Sequence, residues 1–127
     1  MKLNGSIQLT RQDWEAVDKA IEYIELFHTK HLTALDLSDM FSVGEAELRK
    51  GLKAKTGSTI FSYITEKRMV AARNILAGDP RIGIKEVAQS VGYKTATHFC
   101  QVFKGRFGES PASFRRKANS IVIEINH

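Results

Sequence analysis

Two stretches of this sequence place polar and basic side chains at helical spacing just ahead of a glycine. The first runs Glu45, Ala46, Arg49, Lys50, Lys53 and ends at Gly57. The second runs Ala96, Thr97, Cys100, Gln101, Lys104 and ends at Gly108. In a helix the residues of each set fall on one side. The chemistry such a side can perform is recognition of base edges. Arg49 and Lys50 suit guanine O6 and N7, and Glu45 can accept from cytosine N4. Gln101 can pair bidentately with adenine, Thr97 can donate or accept, and Ala96 offers a methyl group to thymine. Thr95 has the character of an N-cap, whose neighbouring backbone amides would lie near a phosphate. The simpler reading of either set is a solvated helix face, so the surrounding elements have to decide.

Other reactive residues lead less far. His28 and His31 in "HTKH", with Glu25 nearby, have a spacing that a metal could use, but histidines at a helix end are common. Cys100 and His98 stand two apart on a helix and point apart, so they form no hydrogen-bonded dyad. No other spacing converges on a catalytic group. The chain reads as a non-enzyme with no cofactor.

The elements that would carry the two polar faces follow from the apolar spacing. Thr10 and Asp13 mark a helix start, after which Trp14, Val17, Ile21, Ile24 and Phe27 form one apolar face that ends near His28–His31. Residues 33–41 read as a short helix burying Leu35, Leu37, Met40 and Phe41. "SVG" is a turn, and residues 45–56 form a third helix with Leu48 and Leu52 inward. Gly51 lies inside that helix, where it costs about 1 kcal/mol relative to Ala, and is expected to loosen it. A long helix follows from Ser58 or Thr59 to Ala77, with Ile60, Phe61, Ile64, Met69, Ala72, Ile75 and Leu76 as its apolar positions. The pattern then returns: a short helix over 82–91, the turn "GYK", and a helix over 95–107 with Phe99, Phe103 and Phe107 inward. Pro111 opens a last short helix, "PASFRRKA". The tail "SIVIEINH" is rich in β-formers and is expected to pair with the N-terminal "SIQL", dock on a partner or stay loose.

An internal repeat is therefore present. Leu48, Leu52, Lys53 and Gly57 match Phe99, Phe103, Lys104 and Gly108 at a shift of 51, while Leu37 and Ser38 match Val87 and Ala88 at a shift of 50. Each unit is a helix, a tight turn with glycine, and a helix, which is the helix-turn-helix whose second member enters a DNA major groove. Two such units joined by one long helix are far more specific than one.

Charge agrees. The net charge is +5 and unevenly spread. Residues 10–29 hold Asp13, Glu15, Asp18, Glu22 and Glu25 against Arg11 and Lys19. Residues 94–118 hold Lys94, Lys104, Arg106, Arg115, Arg116 and Lys117 against Glu109. Such asymmetry favours a polyanionic partner. Hydrophobic residues make up 43% and charged residues 26%, a folded composition. No apolar run approaches the roughly 20 residues of a membrane span. The N-terminus lacks an apolar signal core, and the single Cys100 has no disulfide partner, so a cytoplasmic protein is expected.

At this point the sequence resembles the DNA-binding domain of the AraC/XylS family of bacterial transcription regulators. The resemblance covers about residues 17–117 and is most specific in "VAQSVGYKTATHFCQVFKGRFGESPASFRR" (87–116): Ala88, the Gly92–Tyr93 turn, the core of Phe99, Phe103, Lys104, Phe107 and Gly108, and Pro111 before Phe114–Arg115. "RMVAARNIL" (68–76) is similar to the family's linker pattern at Arg68, Ala72 and Leu76. In the first unit Ser38, Gly44 and Leu52 replace the usual Ala, Ser and Phe. The resemblance implies an all-α fold of two helix-turn-helix subdomains, 10–57 and 78–118, joined by a linker helix over 58–77, with a tail over 119–127. It implies sequence-specific binding to double-stranded DNA. The family's base-contacting positions match Ala46, Arg49 and Lys50, and Ala96, Thr97 and Gln101. Phosphates would be neutralised by Lys53, Lys104, Arg106, Arg115 and Arg116, while Arg68 is expected to be an internal ion-pair partner. RNA polymerase is a partner the resemblance implies, and a sensor domain is another if this is the C-terminal part of a longer regulator. The competing reading is a helical protein-interaction module without DNA binding.

Overall fold

A computed structural model describes residues 8–125, with side chains to residue 120. Its first helix, α1 (Arg11–Phe27), starts where the sequence places it. Thr10 Oγ1 accepts from the Asp13 amide at 3.1 Å and the Asp13 carboxylate accepts from the Thr10 amide at 2.9 Å, a complete capping box. The second helix, α2 (Ala34–Phe41), repeats this device with Thr33 and Asp36. Then come α3 (Glu45–Thr56), α4 (Ile60–Gly78), α5 (Ile84–Ser90), α6 (Ala96–Phe107) and α7 (Pro111–Ile125). The described residues form helices and no strand.

The chain divides between Lys67 and Arg68, inside α4, into two units. In the first, Val17, Ala20 and Ile24 of α1, Leu37 of α2, Leu48 and Leu52 of α3, and Ile60 and Ile64 of α4 make one buried cluster. At its edge the Tyr63 hydroxyl donates to Glu25 Oε1 at 2.9 Å. Burial first, and then Glu25, push the phenol pKa up to about 12. In the second unit, Met69, Ala72 and Leu76 of α4 pack with Val87 and Ala88 of α5 and with Phe99 and Phe103 of α6. Phe103 is 5.8 Å from Phe99, 4.7 Å from Phe107 and 6.0 Å from Phe114 between ring centroids, an aromatic core.

Each core thus takes in part of the 58–77 segment. The repeat is also larger than the sequence reading had it. Val17, Ala20 and Ile24 stand to the first core as Met69, Ala72 and Leu76, each 52 residues later, stand to the second. Thr59 and Ser110, 51 residues apart, also correspond: their hydroxyls accept from the Ser62 and Ser113 amides, both at 3.1 Å.

Four expectations change. Leu35 and Met40 are 57% and 46% exposed. The short α2 turns only Ala34, Leu37 and Ser38 inward, with Phe41 half-buried, and its other apolar residues lie off that face. Phe61 is 78% exposed, because Ile60 and Ile64 fix the inward side of α4. The tail is not extended through residue 125. With no Gly or Pro after Pro111, α7 continues to Ile125, helix propagation prevailing over the β-preference of its last turns. Residues 126–127, and Ser6 and Ile7 of "SIQL", lie outside the described residues. Finally, Gly51 is not a weak point: it is buried, and a Cβ built there would stand 2.6 Å from Val17 Cγ2 and 2.8 Å from Leu9 Cδ2. The missing side chain lets α1 come close to α3.

Candidate nucleic-acid interface

Each unit presents its second helix through a tight turn. In the first, the Val43 amide donates to the Ser38 carbonyl at 3.1 Å; in the second, the Tyr93 amide donates to the Ala88 carbonyl at 2.9 Å. The turns therefore close alike up to Val43 and Tyr93. Both pass through the left-handed region, at Ser42 (φ 52°) and at Gly92 (φ 98°). Glycine adopts this conformation without the Cβ clash that serine suffers there. After Tyr93 the second turn is one residue longer, since Lys94 and Thr95 stand where the first has Gly44 alone. This accounts for the change of shift from 50 to 51.

The helix starts differ too. Thr95 caps α6, its Oγ1 accepting from the His98 amide at 3.1 Å. Gly44 caps α3 with no side chain. The Glu47 carboxylate instead fills the space where a Cβ on Gly44 would fall. Both helices end on left-handed glycines, Gly57 at φ 79° and Gly108 at φ 80°, whose amides donate to Lys53 O and Lys104 O.

On α3, Glu45, Ala46, Arg49, Lys50 and Lys53 are all exposed, opposite the buried Leu48 and Leu52. The Arg49 guanidinium meets the Glu45 carboxylate, at 3.0 Å from Nη2 and 3.2 Å from Nε. Lys55 turns away: its Nζ is 2.7 Å from Asp18 of α1 and lies 5.6 Å from the centre of the Trp14 ring. On α6, Thr95, Thr97, Gln101, Lys104 and Arg106 are exposed and Ala96 is half-buried. Cys100, read from the sequence as outward, is half-buried and packs on the aromatic core. Lys94 and His98 are exposed beside this face, His98 edge-on to Tyr93 at 5.3 Å. Neither stood among the expected contacts, although the extra residue in the turn marks Lys94.

The basic residues after α6 separate into different roles. Arg116 is exposed. Lys117 lies 3.1 Å from Glu109, and that lysine, with Ser113, holds the Glu109 pKa below its usual value. The Arg106 guanidinium lies 4.7 Å from the centre of the Phe107 ring. Arg115, expected at phosphate, is half-buried and held inside the second unit: Nη1 donates to the Ile82 carbonyl at 2.6 Å and Nη2 to the Asp79 carbonyl at 3.2 Å. It ties α7 to the α4–α5 connection. Arg68 has its guanidinium 5.5 Å from the centre of the Tyr93 ring, within the same unit.

At the end of α1, the His28 ring donates from Nδ1 to the Glu25 carbonyl at 3.1 Å. Among the described residues no group of histidines, cysteines and carboxylates could hold a metal ion, and no helix is long and apolar enough to cross a membrane.

Comparison with known proteins gives the arrangement its context. A family model described as "Helix-turn-helix domain" matches residues 37–117. The bifunctional transcriptional activator/DNA repair enzyme AdaA of Bacillus subtilis is 33% identical over 104 residues, covering 82% of this chain and 49% of AdaA. The xylose operon regulatory protein of Escherichia coli K12 is 26% identical over 108 residues, covering 85% of this chain and 27% of that protein. The chain thus spans about half or less of the length of these relatives. Among solved structures, the C-terminal domain of AraT, a response regulator from Geobacillus stearothermophilus, superposes with a TM-score of 0.77 at 28% identity. That match covers 87% of this chain and 88% of the AraT chain.

Proposed function

This chain belongs to the AraC/XylS family of helix-turn-helix regulators, and from that premise we propose that it binds double-stranded DNA sequence-specifically, through α3 and α6, to regulate transcription in the bacterial cytoplasm. One observation carries the reading. In both units the second helix closes a core with one side and exposes, on the other, side chains of types suited to base edges, and the two faces differ in chemistry. Arg49 and Lys50 of α3 suit guanine, whereas Gln101 and Thr97 of α6 suit A·T pairs. Ala46 and Ala96 offer methyl groups beside them, and Lys53, Lys104, Arg106 and Arg116 neutralise phosphates. Arg115 is left out of this set because its guanidinium is engaged within the fold. Neither face needs a cofactor. RNA polymerase is the further partner that family membership suggests, and a sensor domain is another in a longer chain.

The test is selection of bound sites from a random duplex library, followed by titration of the selected site at rising salt. A defined consensus and a steep linear fall of log K with log salt are expected, and Arg116→Ala should reduce that slope by about one on every duplex. No enriched site, with binding indifferent to salt, would instead support the helical protein-interaction module.

A further inference from the structure

Arg49 is the longest donor on the exposed face of α3, and its guanidinium is already engaged. Nε and Nη2 both donate to the same oxygen, Glu45 Oε2, at 3.2 Å and 3.0 Å. Glu45 lies one turn toward the N-terminus, the favourable order for a helical ion pair. The side chains are 57% and 44% exposed, so the pair does little for stability. Its consequence is geometric. A guanidinium has five N–H donors in a fixed plane. The bridge takes Nε–H and one hydrogen of Nη2. The Nη1–Nη2 edge is left, and that edge matches O6 and N7 of guanine.

We infer that Glu45 is a positioning residue for base recognition: it holds Arg49 by the Nε–Nη2 edge so that the Nη1–Nη2 edge is presented to guanine. The inference rests on α3 being a recognition helix. It gives Glu45 a role other than direct contact with cytosine N4. The carboxylate also discriminates in the negative sense. A phosphate that draws Arg49 away from Glu45 leaves a bare carboxylate beside the DNA backbone, which weakens attachment to the wrong duplex. The second unit has no such pair, because Ala96 and Cys100 occupy the equivalent positions.

The experiment uses the full chain, a duplex carrying the site selected by the wild type, and a scrambled duplex. Glu45→Ala, Glu45→Gln, Arg49→Ala and the double variant are compared, each confirmed as folded by circular dichroism. Nitrogen-15 relaxation of the Arg49 Nε–Hε group reports on the DNA-free protein. Glu45→Ala is expected to increase the motion of that group and to lower the ratio of selected to scrambled affinity about fivefold, as expected when one long side chain must be ordered on binding. Glu45→Gln, which keeps an acceptor, should retain more of the ratio. In the Arg49→Ala background the Glu45→Ala effect should vanish. If it persists there, Glu45 reads DNA directly and the positioning role is overturned. Unchanged Arg49 motion, or an equal loss on both duplexes, overturns it as well. A wild type that prefers no duplex overturns the recognition reading and this inference together, whereas a clear preference that Glu45→Ala leaves intact overturns this inference alone.

Discussion

The two units reach the same helix-turn-helix by different packing. In the first, the core is aliphatic and Gly51 lets α1 approach α3 until Val17 and Leu9 stand where its side chain would be. In the second, the position equivalent to Gly51 is Val102, and the core is aromatic, with Phe107 and Phe114 packed against the buried Phe99 and Phe103. A second helix-interior glycine, Gly105 of α6, has no atom beyond its chain neighbours and its own helix backbone within 4 Å of where a Cβ would stand. Two glycines inside two equivalent helices thus have opposite meanings. One is required by a close approach, and the other only lowers helix propensity. Glycine in a recognition helix cannot be taken as looseness until its neighbours are known.

The comparison can be broken most directly at Gly51. Gly51→Val, which installs the residue of the second unit, should destabilise the protein by about 3 kcal/mol in urea denaturation, the upper range for overpacking. Wild-type stability in that variant would mean that the close approach is not what holds the first unit together. Next in size is Arg115→Ala. Removing two charge-assisted hydrogen bonds from carbonyls of the α4–α5 connection should cost about 2 kcal/mol. The salt slope of DNA binding should stay as it is, in contrast to Arg116→Ala. A reduced slope would return Arg115 to the phosphates. The reading faces give a third contrast. Arg49→Ala should relax preference at one or two G·C positions, and Gln101→Ala at an A·T position about one helical turn away, each by about 1–2 kcal/mol in site selection. A uniform loss on all duplexes with the consensus intact would make α3 a positioning helix instead. The smallest effect is expected at Gly105. Gly105→Ala should raise stability by about 0.5–1 kcal/mol, the ordinary helix preference, and a loss would show that the site is more crowded than its surroundings imply.

Much of this was legible in the sequence because it depends on local rules. Thr10 with Asp13, Pro111, and Gly57 with Gly108 mark helix ends through chemistry confined to a few neighbouring residues, and Leu48 with Leu52 or Phe99 with Phe103 mark faces through a fixed period. What stayed hidden depends on partners distant in the chain. Nothing near Gly51 announces Val17, and nothing near Arg115 announces the carbonyls of Asp79 and Ile82. Apolar type alone placed Leu35, Met40 and Phe61 inside, whereas the face formed by Ala34, Leu37, Ser38 and Phe41 in α2, and that centred on Ile60 and Ile64 in α4, turn them outward. The Glu45–Arg49 contact was within reach, since a carboxylate one turn before an arginine is a local signal.

The helix α4 has a practical consequence for dissecting the chain. Its first residues, Ile60 and Ile64, complete one core, and Met69, Ala72 and Leu76 begin the other. A fragment stopped at Gly57 would be cut off from the apolar side chains that close it, and one begun at Asp79 would lack its first buried row. Separate expression of the halves therefore calls for overlapping fragments, each carrying its own copy of residues 58–78. A piece ending at Gly57 should gain structure only when mixed with one that carries residues 58–78, as a complementation assay read by circular dichroism would show.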